Sequence, residues 1–136
     1  MRTFLYISRN LLGAGSDDQM LDIRARSLAR NSQLELSGML VATPVHFVQV
    51  IEGPDESVEA LVEILAADTR HTDPVTLDDR PIERRLFRRW TMLTFMAGGF
   101  LERYLEPAIS VQLAIPAQGS RGEPMMSFLK RIEPGT

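Results

Sequence analysis

His-Phe-Val-Gln-Val-Ile-Glu-Gly, residues 46–53, is the stretch that decides the fold of this chain. It is rich in β-branched and aromatic residues and is followed by proline, which predicts a central β-strand that ends at this point. Side chains alternate across a sheet, so Phe47, Gln49 and Ile51 share one face. A buried amide without partners costs roughly 1 to 3 kcal/mol for each unpaired group. Gln49 therefore bonds either to neighbouring backbone or to the polar edge of a ligand, and the strand alone leaves both interpretations open.

Composition limits the classes of protein to which the chain can belong. Its 136 residues suit a single domain, and its apolar content of 44% and charged content of 24% are ordinary for a globular protein. No apolar run approaches the roughly 20 residues of a membrane-spanning helix, and the amino terminus lacks a signal-peptide pattern. We expect a cytoplasmic protein with no membrane partner. The net charge of −3 gives no general attraction to nucleic acid, so no direct nucleic-acid contact is predicted.

Metal and thiol chemistry are not expected. The chain has no cysteine, which excludes disulfides and thiolate ligands. Its two histidines, His46 and His71, lie too far apart in the sequence for the spacing that metal-ligand pairs usually have. The sequence therefore predicts no metal site.

Hydrophobic periodicity predicts four further strands and two helices before residue 97. The strands cover residues 3–8, 36–43 and 90–96, and one more, of undefined length, begins at 74–77. The helices cover 16–30, capped by Ser16, and 54–67. The order β-α-β-β-α-β is typical of the ferredoxin-like arrangement, in which both helices lie on one face of an antiparallel sheet. Gly38 lies inside a predicted strand, where glycine often marks the close approach of other backbone or a ligand. We therefore expect an α+β, ferredoxin-like βαββαββ fold.

The chain from residue 98 onward differs from the rest. It predicts a helix over 100–110 interrupted at Pro107, a loop over 117–124 and a final helix over 125–132. The final helix is too apolar to be left exposed, and the strands carry apolar residues on both faces. We expect residues 98–136 to form a helical extension that covers the second face of the sheet or packs on another subunit. A homodimer or larger homo-oligomer follows as an expectation.

Several polar and aromatic side chains gather in this arrangement around a slot between the two helices. Tyr6 and Gln49 can face the slot, Ile23 and Leu65 can line its walls, and Asn31, Arg70 and His71 lie at the same ends of the helices. Such a slot suits a flat heteroaromatic ring with a polar rim. Each residue also has an ordinary role: a core tyrosine, a left-handed asparagine that closes the first helix, and a solvated loop after the second.

Arginine is concentrated between the last two predicted strands. Arg80, Arg84, Arg85, Arg88 and Arg89 are interleaved there with Leu86 and Phe87. A basic turn of this kind could contact phosphate or a partner, but the pattern favours a solvated surface.

Residues 2–95 resemble the BLUF family, the blue-light sensors that use a flavin. The motifs that carry the resemblance are Tyr6-Ile7-Ser8, Leu21-Asp22-Ile23 followed by Asn31, Leu36-Ser37-Gly38, residues 47–53, Asp68-Thr69-Arg70-His71 and Phe87-Arg88-Arg89-Trp90-Thr91-Met92. Each motif is weak alone, and their order and spacing together give the resemblance its weight. It divides the chain into a flavin-binding domain over residues 1–97 and the helical extension over 98–136, which has no recognisable output domain.

The resemblance implies a role for each matching residue. Tyr6 would give an electron and a proton to the photoexcited flavin, and Gln49 would bridge Tyr6 and the flavin N5/O4 edge. The remaining implied flavin contacts are Ile23, Asn31, Leu65, Asp68, Arg70 and His71. Trp90 and Met92 would form a signalling pair on the fifth strand, beside Gln49. FAD is the expected flavin, with FMN or riboflavin possible after isolation.

The resemblance also implies a sensor without enzymatic activity, which signals to a separate, unidentified downstream protein. The sequence departs from the family at Arg30, where some members carry histidine, in residues 32–35, and at Val50, where some carry a larger side chain.

Two other interpretations of the function remain. One is a small acylphosphatase-like hydrolase, which needs an anion-binding glycine loop that residues 10–15 match only faintly. The other is an interaction module that keeps the scaffold without a flavin.

Overall fold

The computed structural model describes residues 1–12, 17–94, 100–114 and 122–134. The strands are β1 (Arg2–Asn10), β2 (Ser37–Ala42), β3 (His46–Gly53), β4 (His71–Pro81) and β5 (Trp90–Thr94), and the helices are α1 (Asp17–Gln33), α2 (Asp55–Ala66), α3 (Phe100–Ala114) and α4 (Glu123–Ile132). Ser16, the predicted helix cap, and most of the loop predicted over 117–124 lie outside the described residues. Within the described residues, no helix is both long enough and apolar enough to cross a membrane.

The strands form one five-stranded sheet in the order β4-β1-β3-β2-β5. The stretch 46–53 is therefore the middle strand, as predicted, and the fold is α+β and ferredoxin-like. The prediction of an entirely antiparallel sheet was wrong at one edge, because β5 pairs with β2 in parallel. Residues 82–89 carry the chain from the β4 edge to the opposite edge. The chain then returns antiparallel to β4, which is the direction of β2.

Strand β4 runs from His71 to Pro81, and thus begins three residues before the predicted start at residue 74, for which periodicity fixed no length. Its outer positions are mostly polar and exposed, so its sequence lacks the apolar alternation of a strand. Pairing with β1 over most of its length holds it in the sheet, with two shifts of register along the way.

Gly38 confirms the expected close approach of backbone. Its φ is +141°, and a Cβ at this position would lie 1.9 Å from the carbonyl oxygen of Val50. Only a residue without a Cβ lets β2 lie against β3 at this point.

One face of the sheet, called here the covered face, is sealed by the carboxyl-terminal helices. It packs strand residues such as Leu5, Ile7, Val48 and Val50 against Leu105, Ile109, Met125 and Leu129 of α3 and α4. The extension thus supplies the second cover that the two-sided strands require. The predicted interruption at Pro107 was wrong, since α3 continues from Phe100 to Ala114. Proline removes one helical hydrogen bond, and the buried Leu105 and Ile109 on either side hold the helix against the core.

The other face, called here the cleft face, carries α1 and α2. Below α2, Phe4, Tyr6 and Ile51 pack with Val58 and Leu61. Below α1, Ile23 packs with residues of β2, β3 and β5. Two apolar clusters therefore lie side by side on this face, and the region between them is open to side chains of different chemistry.

Asn31 does not close α1, contrary to the prediction. The helix runs on to Gln33, and the left-handed residue is Glu35, with φ of 57°. The backbone oxygen of Asn31 accepts a hydrogen bond from Leu36 N at 2.8 Å, which ties the helix end to the start of β2. The side chain of Asn31 is fully buried and does not cap the helix.

Candidate functional site

Tyr6 and Gln49 form the centre of the candidate site. They lie directly opposite each other in the β1–β3 pairing, so their side chains project from the same face at close range. Tyr6 Oη donates a hydrogen bond to Gln49 Oε1 at 2.6 Å. Tyr6 is 4% exposed and Gln49 2% exposed. The buried amide of Gln49 in the central strand is thus paired with the phenol of Tyr6 from the neighbouring strand.

The surroundings of Tyr6 keep its phenol protonated. Burial raises the pKa of Tyr6 far above that of a free tyrosine, and the negative charge of Asp68 adds to this effect. The positive charge of Arg30 acts in the opposite direction. Near neutral pH, the Oη proton is therefore present and shared with Gln49.

A cleft opens over this pair, between α1 and α2. It encloses about 430 Å³, counting the part that is open to solvent. Its lining residues are Tyr6, Ile23, Ser27, Arg30, Leu40, Phe47, Gln49, Leu65, Asp68, Arg70 and His71. The structure therefore brings together seven of the eight residues predicted to form the photoactive and flavin-binding set, namely all except Asn31.

Asn31 lies behind the lining rather than in it. Its Oδ1 accepts a hydrogen bond from Nε of Arg30, a lining residue, at 3.4 Å. Its buried Nδ2 has no hydrogen-bond partner among the described residues. Leaving a buried amide donor unpaired costs about 1 to 3 kcal/mol, so this group fits a site that is completed by an acceptor on a ligand.

Asp68 and Arg70 form a rigid charged pair at the rim of the cleft. Arg70 donates to Asp68 from its backbone N at 2.9 Å and from Nη2 at 2.6 Å. This bonding lowers the pKa of the Asp68 carboxyl and raises the pKa of the Arg70 guanidinium. Both groups stay charged near neutral pH, and Arg70 presents a fixed cation to the cleft.

His71 is held by two hydrogen bonds that define its tautomer. Its Nε2 lies 2.6 Å from the carbonyl oxygen of Leu65, which can only accept, so Nε2 carries a proton. Its Nδ1 lies 2.7 Å from Ser8 Oγ. In the neutral ring the serine hydroxyl donates to Nδ1. The imidazole ring also contacts Tyr6, at 6.0 Å between centroids, and Phe47, at 6.4 Å, and thus braces the wall beside the phenol.

Comparison with known proteins identifies the family to which this site belongs. Residues 1–93 match the model of the BLUF family, described as sensors of blue light using FAD. The chain belongs to the BLUF family. This match favours the sensor interpretation over the hydrolase alternative.

Other BLUF proteins resemble the chain to different extents. Subunit beta of the photoactivated adenylate cyclase of Euglena gracilis is 32% identical over 93 residues, which are 68% of this chain but 11% of that protein. The dark-state structure of BlrB, a BLUF protein, has a TM-score of 0.73 and 29% identity and aligns over 96% of both chains. Klebsiella pneumoniae BlrP1, solved with FMN and cyclic diGMP, has a TM-score of 0.61 and 25% identity over 79% of this chain and 29% of that one.

Sequence reasoning missed four residues that line the cleft of this BLUF domain. Ser27 and Arg30 follow Ile23 at i+4 and i+7 on α1, a spacing that places all three on one face of the helix. Phe47 alternates with Gln49 on β3, and Leu40 lies opposite Gln49 on β2. Helical periodicity measured from Ile23 would have found Ser27 and Arg30, and alternation from Gln49 would have found Phe47. Leu40 could be found only from the register of β2 against β3.

Trp90 and Met92 lie on β5, on the cleft face, but not beside Gln49 as expected. Strand β2 separates β5 from β3, and Leu40 pairs with both Gln49 and Met92. Trp90 is 8% exposed and Met92 7% exposed, and both pack in the apolar cluster that contains Leu40. In this BLUF domain one strand, β2, therefore lies between Gln49 and the β5 pair.

Proposed function

We propose that this chain is a blue-light photoreceptor that binds a flavin non-covalently in the cleft between α1 and α2. The observation that carries the proposal is the 2.6 Å hydrogen bond from Tyr6 to Gln49 on the floor of that cleft. A bound flavin would absorb blue light and, once excited, would accept one electron. The family description favours FAD, with FMN or riboflavin as the alternatives.

Cleft residues of different chemistry would recognise different parts of the flavin. Ile23 and Leu65 would sandwich the ring with apolar surface. Asn31 Nδ2, which has no partner among the described residues, would donate to a carbonyl group of the ring through a small shift of Arg30. Arg70, fixed by Asp68, would meet the pyrimidine end. His71 would hold the cleft wall in place through its bonds to Ser8 and Leu65.

Tyr6 would act as the donor of an electron and a proton. Its Oη is already hydrogen-bonded to Gln49 Oε1, so the proton has a path out of the phenol through the amide. Tyr6 loses one electron and the Oη proton after excitation and regains both on recombination, which leaves no net oxidation. No substrate is consumed in this cycle, and the proposed role is that of a sensor rather than an enzyme.

Gln49 would retain the structural change that illumination causes. A primary amide has a donor end and an acceptor end and can exchange them by rotation or tautomerisation. After the exchange, Gln49 would no longer accept from Tyr6 through Oε1, and its hydrogen bonds to the ring would change. A stronger hydrogen bond from Gln49 to the flavin O4 would shift the absorption to longer wavelength.

The change in hydrogen bonding at Gln49 would be transmitted to the side chains of β5. Leu40 of β2 lies opposite Gln49 of β3 and also opposite Met92 of β5. Repacking at Gln49 would therefore displace the apolar cluster that holds Met92 and Trp90.

We propose that residues 1–97 form the sensor, that residues 98–136 form its helical extension, and that a separate downstream protein receives the signal. Self-association through the extension stays a prediction.

Replacing Tyr6 by phenylalanine tests the photochemistry, and Tyr104→Phe is the matched control. Tyr104 is the other tyrosine of the chain and lies exposed on α3. The Y6F variant is expected to bind flavin but to lose the light-induced redshift, whereas Y104F keeps it. The measurement is the visible absorption spectrum of each purified protein in the dark and directly after blue illumination. A normal redshift in Y6F would refute the assigned role of Tyr6.

A further inference from the structure

A second depression runs along the free edge of the sheet. It encloses about 1750 Å³, counting space open to solvent. Its floor is formed by the consecutive residues Arg88 to Met92, with Arg24 and Leu28 of α1 on one side and Lys130 of α4 on the other. It shares no lining residue with the cleft. We call it the β5 groove.

The backbone along the floor of the β5 groove is available for pairing. Gly38 N donates to Arg89 O at 3.1 Å, and Gly38 lies opposite Trp90 in the parallel ladder. In a parallel ladder, the residue opposite such a position turns its own N–H and C=O away from the neighbouring strand. The backbone groups of Trp90 and Met92 therefore point outward, and β5 pairs only with β2 among the described strands.

The β5 groove is basic although the chain as a whole is acidic. Five cationic side chains line it against one carboxylate, that of Glu133, whereas the net charge of the chain is −3. Lys130 pairs with Glu133 at 2.8 Å. Within the described part of the chain, Arg24, Arg88 and Arg89 form no ion pair.

The walls of the groove favour an occupant that is a polypeptide. The groove exposes apolar side chains at Leu28 (44%) and Leu86 (40%). Such side chains pack against the apolar side chains of an extended segment that pairs with the edge of a sheet.

We propose that the β5 groove binds an extended, acidic segment of a partner protein, which adds a strand to the edge of β5. The outward backbone of Trp90 and Met92 pairs with the segment, and alternate side chains face the groove walls. Carboxylates of the segment meet Arg88, Arg89 and Arg24, and its apolar side chains meet Leu28 and Leu86. The apolar walls and the unpaired strand edge favour a polypeptide over nucleic acid, which would use the cations alone.

The proposal goes beyond the proposed photochemistry and does not depend on it. Binding is measured by the fluorescence anisotropy of a rhodamine-labelled peptide of alternating glutamate and valine, with the full chain in the dark and under blue light. The control probes are a peptide of alternating lysine and valine, a thymidine oligonucleotide, and the glutamate-valine peptide methylated on alternate backbone nitrogens. We expect binding of the unmodified acidic peptide alone, in at least one light condition.

Charge reversal within and outside the β5 groove separates a specific site from general attraction. The double variant R88E/R89E is expected to weaken peptide binding by at least about tenfold. The control R9E/R103E makes the same change in net charge at exposed positions outside the groove and should alter affinity by less than about twofold. Circular dichroism spectra that match the wild type verify that both variants are folded.

Four results would overturn the proposal: no binding in either light condition, equal weakening by the two double variants, equal binding of the methylated peptide, or tighter binding of the oligonucleotide. Absorption spectra of the same samples report separately whether the photochemistry is intact, so failure of one proposal is distinguishable from failure of the other.

Discussion

The two faces of the sheet are built by alternating residues of the same strands, yet they differ in chemistry. On β3, Val48 and Val50 enter the covered face, while Phe47 and Gln49 enter the cleft face. The covered face is a continuous apolar core sealed by α3 and α4. The cleft face is divided into two apolar clusters with a polar cleft between them. Because its side chains alternate, β3 stabilises the apolar core on one face of the sheet and contributes to the candidate site on the other.

This division has an energetic consequence. Burial of apolar side chains on the covered face contributes roughly 25 cal/mol for each Å² removed from water. The cleft face holds the Nδ2 of Asn31, which has no partner among the described residues, and the buried Tyr6–Gln49 hydrogen bond. A single hydrogen bond contributes only about 0.5 to 1.5 kcal/mol net, and an unpaired donor contributes nothing. We expect mutations on the two faces to separate folding from light sensing.

The largest effect is expected where the two faces share backbone, at Gly38. Alanine there would place its Cβ 1.9 Å from the Val50 carbonyl oxygen, at a φ of +141°. The strands must move apart, so the free energy of unfolding should fall by about 4 kcal/mol or more, and the redshift should be lost with the fold. Urea denaturation followed by circular dichroism measures the loss. Wild-type stability in G38A would show that the close contact of β2 and β3 is unimportant.

A substitution on the covered face should cost stability alone. Leu129 is fully buried in the apolar core under α4, and Leu129→Ala should lower the free energy of unfolding by about 2 to 5 kcal/mol. The folded fraction should still bind flavin and shift its absorption. The control is Leu113→Ala, at a side chain that is 39% exposed on α3. If L129A destabilised the chain no more than L113A does, α4 would not be part of the core.

A substitution in the cleft should give the opposite result. Gln49→Leu removes one buried hydrogen bond and leaves the Tyr6 hydroxyl without its acceptor, at a cost of about 1 to 3 kcal/mol. Flavin binding should survive and the redshift should disappear. Gln33→Leu, at an exposed position on α1, should change neither property. A redshift of wild-type size in Q49L would place the switch elsewhere.

The smallest effect concerns pH. Burial raises the pKa of Tyr6 above the ordinary value of 10.0, so the folded protein keeps a proton that the unfolded chain releases at high pH. The stabilisation is fully present below pH 10 and is lost as the pH rises above it, by at most about 1.4 kcal/mol per pH unit. Stability of the wild type should therefore fall more steeply above pH 10 than that of Y6F, as denaturant titrations at several pH values would show. Parallel curves would mean that Tyr6 is not shielded from water.

Much of the fold could be predicted from the sequence because it depends on short-range patterns. Alternation placed Gln49 and Phe47 on one face, and the requirement for cover on both sides anticipated the packing of α3 and α4. The parallel pairing of β5 could not be predicted, because it depends on where residues 82–89 carry the chain rather than on the composition of β5 itself. Local propensity also failed at Pro107, where core contacts keep α3 continuous.

The sequence predicted which residues form the candidate site more completely than it predicted how those residues are arranged. Tyr6, Gln49, Ile23 and Leu65 do line one cleft. The position of Asn31 behind Arg30 was not predictable, because it depends on how far α1 extends before the chain turns. The separation of Met92 from Gln49 likewise depends on strand order, which periodicity does not encode.

The measurement that tests this account most directly is the visible absorption spectrum of the purified wild-type chain, recorded in the dark, immediately after blue illumination and during recovery. We predict an oxidised flavin spectrum that moves to longer wavelength in the light and returns in the dark without net bleaching. A preparation that stays colourless after addition of FAD, or a flavin band that only bleaches, would contradict the assignment of the cleft face to light sensing.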